Sequence, residues 1–260
     1  MGERKNILEV QGLSKAFGGL VAIFDLEFNV PRGIIKAIIG PNGAGKTTLF
    51  NLLSGIFPSD KGSTLFQNQP ITRLKPHQIA ALGISRTFQT VELFKEMTAL
   101  QNIMVGRHVR TKSGFFGAGL KLPGSRREEK AIREKAEYYL DFVGLSRRAD
   151  EEAGSLPLGD QKLLEVARAL ATEPDLLLLD EPAAGLNETE TESAARLFRA
   201  IRDQGTTILL VEHDMNLVME VSEEVLVLEY GRKIADDAPE AVRTNSEVIN
   251  AYLGVELENA

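Results

Sequence analysis

The chain has 260 residues, 43% hydrophobic and 26% charged, which suffices for one large core or two modest ones and excludes a disordered or collagen-like chain. Thirty Lys plus Arg against thirty-seven Asp plus Glu leave a net charge of -7, which argues against sequence-independent nucleic-acid binding. The absence of cysteine excludes disulfides, thiolate zinc clusters and a Cys nucleophile, and it suits a reducing cytoplasm. No apolar run approaches the roughly 20 residues of a membrane span. Glu9 interrupts the apolar stretch that follows Asn6, so no signal peptide is expected.

In chain order, short strands are predicted at 7–11, 24–30 and 34–39. Pro31-Arg32-Gly33 forms the turn between the last two. After Gly45 the apolar residues Leu49, Leu52, Leu53 and Ile56 take a helical spacing that ends at Phe57-Pro58. Residues 90–155 read as mostly helical with a Gly-rich interruption at 113–119, and an inserted helical subdomain is expected there. Between Arg107 and Lys135 nine basic residues face three glutamates. This segment is expected to face a membrane or membrane partners, against a plain solvated helical face as the alternative. From Gln161 onward, helices at 163–171 and 190–202 alternate with strands at 176–179, 207–211 and 225–228. The strands are all apolar, as in a parallel sheet covered on both faces.

Gly40-Pro41-Asn42-Gly43-Ala44-Gly45-Lys46-Thr47, followed by Thr48, matches the phosphate-loop pattern G-x-x-x-x-G-K-[ST] between a predicted strand and a predicted helix. The glycines let successive N–H groups converge on a phosphate, and the helix N-terminus adds its positive end. Lys46 brings charge to the β- and γ-phosphates and the Thr47 hydroxyl can ligate Mg²⁺. The predicted strand 176–179 runs into Asp180 and Glu181. Asp180 would face the phosphate site and hold Mg²⁺, directly or through water, and Glu181 would polarise an attacking water. Gly159-Asp160-Gln161-Lys162 precedes a helical run and, taken alone, is an ordinary helix start.

The run from Leu156 through Gly159 to Leu170 resembles the signature motif and following helix of the ABC (ATP-binding cassette) ATPases. That resemblance implies an α/β fold with a RecA-like parallel-sheet core, an N-terminal antiparallel β subdomain and an inserted α-helical subdomain. It implies one domain over 5–256, its core at about 5–89 and 160–256 and the helical insertion at about 90–159. ATP and Mg²⁺ are the implied ligands, held by the phosphate loop, Gly159, Asp180 and the glutamine of Ser85-Arg86-Thr87-Phe88-Gln89. His213 resembles the switch histidine that contacts the γ-phosphate. Phe17 resembles the aromatic that stacks on adenine, with plain core packing as its alternative. Gly83 to Gln89, Pro182 to Asn187, Glu212-His213-Asp214-Met215 and the ending Val248 to Gly254 are similar to the larger, G-type ATPases of branched-chain amino-acid importers. Such a subunit is a peripheral ATPase on the cytoplasmic face of the inner membrane. Its implied partners are membrane permease subunits, a second ATPase subunit and, indirectly, a solute-binding protein, with no direct nucleic acid.

The sequence departs from the family pattern in places. The usual L-S-G-G-Q is Leu156-Pro157-Leu158-Gly159-Asp160, in which the serine hydroxyl is lost and Pro157 has no N–H to donate. The D-loop aspartate is Asn187. A weakened signature favours pairing with a sister ATPase over a homodimer. Two other classes stay open: a non-transport ABC ATPase acting on nucleic acid or ribosomes, and a GTP-binding switch or phosphotransferase. Against the last, no Asn-Lys-x-Asp element occurs.

Overall fold

The structure, a computed structural model, describes the backbone of residues 5–107 and 123–258 and the side chains of 5–107 and 128–252. Strands β1 (Asn6–Phe17), β2 (Leu20–Pro31), β4 (Lys61–Phe66) and β5 (Gln69–Pro70) form an antiparallel sheet in the order β2-β1-β4-β5. A second sheet holds β3 (Ile35–Ile39), β6 (Ile84–Arg86), β7 (Leu176–Asp180), β8 (Thr207–Val211), β9 (Glu224–Glu229) and β10 (Arg232–Asp237). Its order is β10-β9-β3-β8-β7-β6, parallel throughout except for the β9–β10 hairpin.

Every residue of β3, β7 and β8 is buried, because both faces of this sheet are covered, as all-apolar parallel strands require. Successive side chains point to opposite faces. Leu177 and Leu179 therefore join the apolar cluster of the helices on one side. Leu176 and Leu178 join the cluster shared with the antiparallel sheet and α1 (Lys46–Leu53) on the other. The first two strands are longer than expected. The β1–β2 ladder continues past register shifts, one of them spanning Gly12 at φ 59, and such bulges hide the alternation that would reveal a strand.

The helical side comprises α3 (Ala99–Arg107), α4 (Pro123–Phe142) and α5 (Leu158–Leu170), packed on one another and on the sheet through Ala99, Ile103, Ala136, Leu140 and Leu164. Two expected boundaries move. Helix α1 stops at Leu53, short of the expected Phe57-Pro58, because Gly55 turns left-handed at φ 73, its amide donating to Leu52 O and that of Ile56 to Asn51 O. Helix α5 starts at Leu158, not at 163. Pro157, in extended conformation, is its cap, and Gln161 N–H donates to Pro157 O at 2.9 Å. Gly159 to Gln161 thus lie in the first turn and Lys162 just after it, so the expected boundary between 159 and 160 falls within a helix. Residues 108–122 of the basic segment, Phe115 and Phe116 among them, lie outside the described residues. Within α4, Lys130 pairs with Glu134 at 3.6 Å and Arg133 with Glu137 at 2.8 Å, while Lys135 reaches Glu173 at 3.0 Å.

The chain closes with α6 (Glu188–Asp203), α7 (Met215–Val221), α8 (Pro239–Thr244) and α9 (Ser246–Glu258). Of these only α6 was expected, near its observed bounds. Helix α2 (Pro76–Leu82) and strands β4, β5, β6 and β10 were likewise not expected; each is short or lacks an apolar period.

Candidate functional site

In a parallel sheet, loops leaving the carboxyl ends of neighbouring strands share one edge of the molecule. Strand β8 lies between β3 and β7, with Ile38 and Asp180 both in register with Val211. The loops after these three strands carry the phosphate-loop sequence, Glu181 and His213. Segments distant in sequence thus meet because of strand order alone.

The glycine loop has the backbone its residues allow. Gly40, Gly43 and Gly45 have φ of 151, 81 and 102. At Gly40 a Cβ would stand 2.1 Å from Leu228 O, and at Gly45 2.6 Å from Ala22 O. Only glycine combines that conformation with that close approach. Lys46 is buried, and its Nζ donates to Gly40 O at 2.6 Å and Pro41 O at 3.0 Å. Its pKa is lowered by burial, against the opposing pull of Glu181 and Asp180. Thr47 and Thr48 follow in the first turn of α1, with Thr47 exposed. Ala44 O accepts Gly231 N–H at 3.0 Å, which ties the loop to the β9–β10 turn.

Asp180 is 1% exposed and its Oδ2 accepts Arg86 Nη2 at 2.8 Å. Its Oδ1 is buried without a hydrogen-bond partner. Burial pushes the Asp180 carboxyl above its usual range, with Arg86 opposing. Glu181 has φ 50 and sits in a strained left-handed turn. Its N–H donates to Val211 O at 2.9 Å and its carbonyl accepts Lys162 Nζ at 2.9 Å. Its carboxylate is held on both oxygens: His213 Nε2 donates to Oε1 at 2.7 Å and Gln89 Nε2 to Oε2 at 3.0 Å. Lys46, Asp180, Glu181, Gln89 and His213 are therefore brought together, with the His213 side chain 46% exposed.

Other expected residues have different neighbours. Phe17, 40% exposed, meets Phe57 edge-on at 5.3 Å, with Lys15 Nζ 5.3 Å from its ring. Gly159 packs against the start of α6, where a Cβ would stand 2.9 Å from Glu190 Oε1. Asn187 caps that helix: its side chain accepts Glu190 N–H at 3.0 Å while Glu190 accepts Asn187 N–H at 2.9 Å.

Four residues that hold the site were not singled out from the sequence. They are Arg86, Lys162, Glu165 and Glu212. Buried Glu212 accepts the amides of Ala183 at 2.7 Å and His213 at 3.0 Å. Buried Glu165 accepts those of Phe88 at 3.3 Å and Glu92 at 3.5 Å, and so fixes the loop around Gln89 to α5. Burial raises both carboxyl pKa values. The available signal was charge on the apolar side of α5 and at the end of an apolar strand.

A divalent cation fits this donor set. The unpartnered buried oxygen of Asp180 is an anionic acceptor that costs free energy while unpaired, and hydroxyl, amide and carboxylate oxygens are the ligands Mg²⁺ prefers.

The chain matches the ABC transporter family over residues 23–184 and a second family, branched-chain amino acid ATP-binding cassette transporter, over 232–258. It is 44% identical over 249 residues to the high-affinity branched-chain amino acid transport ATP-binding protein LivG of Escherichia coli K12, across 95% of this chain and 98% of that one. The BraF protein of Pseudomonas aeruginosa, described in the same words, shares the same identity and coverage. A probable LivG of Archaeoglobus fulgidus is 39% identical, across 96% of each chain. The ADP conformation of an ATP-binding cassette of an ABC transporter superposes with a TM-score of 0.84 at 32% identity, covering 96% of this chain and 99% of that chain. A nucleotide-free cassette from an ABC transporter gives 0.83 at 32% identity, covering 95% and 99%.

Proposed function

Because the chain belongs to the ATP-binding cassette family of ABC transporters, we propose that it is the ATP-hydrolysing subunit that powers an importer of branched-chain amino acids. The likeness to LivG and BraF, which spans 95% of the chain, carries the choice of solute class. The C-terminal match over 232–258 supports it. The clustering of Lys46, Asp180, Glu181, Gln89 and His213 at the glycine loop supports hydrolysis.

The loop from Gly40 to Thr48 cradles the phosphates through its N–H groups, and Lys46 exchanges its two carbonyl partners for phosphate oxygens. Thr47, Gln89 and Asp180 hold Mg²⁺, which when bound neutralises phosphate charge. Glu181 accepts a proton from the attacking water, oriented for this by Gln89 and His213. His213, at the opening, contacts the γ-phosphate, and Phe17 presents an exposed ring for adenine. Gly159 and its altered signature complete the site of an apposed ATPase subunit rather than this chain's own. We assign the partner as a sister ATPase, with permease subunits at the membrane and a solute-binding protein acting through them. In this reading attachment is peripheral, through the permeases; among the described residues no helix is long and apolar enough to cross a membrane.

The test is to purify the chain together with the membrane proteins it assembles with, reconstitute them in vesicles, and measure ATP hydrolysis and leucine uptake. Stimulation of hydrolysis by the assembly and uptake that needs ATP are expected. Hydrolysis that responds to ribosomes or DNA and not to the membrane proteins would sink this reading.

A further inference from the structure

Arg86 ends β6, three residues before Gln89, and its side chain, 6% exposed, lies at the junction of three elements. Its Nη2 donates to Asp180 Oδ2 at 2.8 Å on β7. Its Nη1 donates to Asn51 Oδ1 at 2.7 Å and Ser54 Oγ at 3.0 Å, at the end of the helix that follows the phosphate loop. The guanidinium carbon lies 5.5 Å from the Phe50 ring centroid and 5.0 Å from that of Phe88. One planar group thus measures the distance from the phosphate-loop helix to the acidic strand and to the segment that carries Gln89. The other oxygen of the same carboxylate, Oδ1, is the buried acceptor without a partner.

We propose that Arg86 is a positioning residue for the divalent cation, gripping one oxygen of Asp180 so that the other is held out as the metal ligand. This rests on the nucleotide reading above. A plain charge-neutralising pair would need only a cation beside Asp180, and lysine would serve. The observed arrangement uses two donors of a rigid fork in two directions, which an ammonium on a flexible stem cannot reproduce. Groups that orient metal ligands are typically worth 10- to 100-fold in metal affinity.

The experiment titrates Mn²⁺ into the ADP-loaded chain by electron paramagnetic resonance, with metal-free ADP affinity measured separately by calorimetry. In Arg86→Lys, Mn²⁺ binding is expected to weaken by about 10-fold, with metal-free ADP affinity within about twofold of the unsubstituted chain. Asn51→Ala leaves Asp180 and its charge partner in place but removes one of the two acceptors that hold Nη1, with Ser54 Oγ remaining. It should weaken Mn²⁺ in the same direction by less, and it keeps the question open to measurement should Arg86→Lys fold poorly. Unchanged Mn²⁺ affinity in both variants, or an equal loss of Mn²⁺ and metal-free ADP binding, would overturn the role of Arg86. Failure of the unsubstituted chain to bind ADP would instead overturn the nucleotide reading and this assignment with it.

Discussion

Glu181 shows how a local cost serves a site. A residue with a Cβ at φ 50 is strained by roughly 1–3 kcal/mol. The turn persists because Val211 and Lys162 hold its backbone on both sides. The strain places the carboxylate between Gln89 and His213. In Glu181→Gln the shape is kept while the proton acceptor is lost, so MgATP binding should persist and hydrolysis should slow by about 10²–10⁴-fold. Single-turnover hydrolysis measures this, and turnover at the unsubstituted rate would remove Glu181 from its role. Lys46→Ala should fail earlier, at binding. Losing even one of its charge-assisted contacts to phosphate costs roughly 1.5–3 kcal/mol, so ATP affinity should fall by at least about tenfold, as calorimetry would show.

Helix α5 carries the clearest departure from the family pattern. Pro157 caps it without a hydroxyl or an N–H, although serine is among the best caps. In the apposed pair proposed above each signature would complete the other subunit's site, so the loss would fall on the partner's γ-phosphate, by up to two charge-assisted bonds of roughly 1.5–3 kcal/mol each. In the proposed pairing, a sister ATPase with an intact signature would make the site built on this chain's Lys46 and Glu181 the stronger of the two. Inactivating the Glu181 equivalent of each subunit in turn should therefore cost unequal activity, and Pro157→Ser here should strengthen only the partner's site. Equal losses, with no effect of Pro157→Ser, would refute the asymmetry.

The two sheets are tied together at a distance from the glycine loop by Lys36, 2% exposed on β3. Its Nζ donates to Asn29 O at 2.8 Å on β2, to Glu224 Oε2 at 3.0 Å on β9, and pairs with Asp236 at 2.6 Å on β10. Removing one partner of a buried ion pair typically costs 3–5 kcal/mol. Glu224 is partly exposed and can rehydrate, so Lys36→Met should cost about 3 kcal/mol, near the lower end. Urea unfolding would measure it, and a loss under about 1 kcal/mol would show that the sheets are held by apolar packing instead. ATP affinity well below the unfolding midpoint should not change.

The phosphate loop, the acidic pair and the βα alternation could all be read from the chain, since each depends on neighbouring residues: a contiguous loop, or an all-apolar run that needs cover on both faces. The same locality limits such reading. Glycine spacing cannot say that Arg86 meets Asp180 across 94 residues, Gln89 meets Glu181 across 92, or His213 meets Glu181 across 32. Those meetings follow from β8 lying between β3 and β7, with β6 outside β7. Nor does a charged residue announce burial. Lys36, Lys162, Glu165 and Glu212 look like surface residues until partners from other elements arrive to satisfy them. Local chemistry is written in short runs of residues, whereas the free energy of a buried polar group depends on partners that only the packed chain supplies.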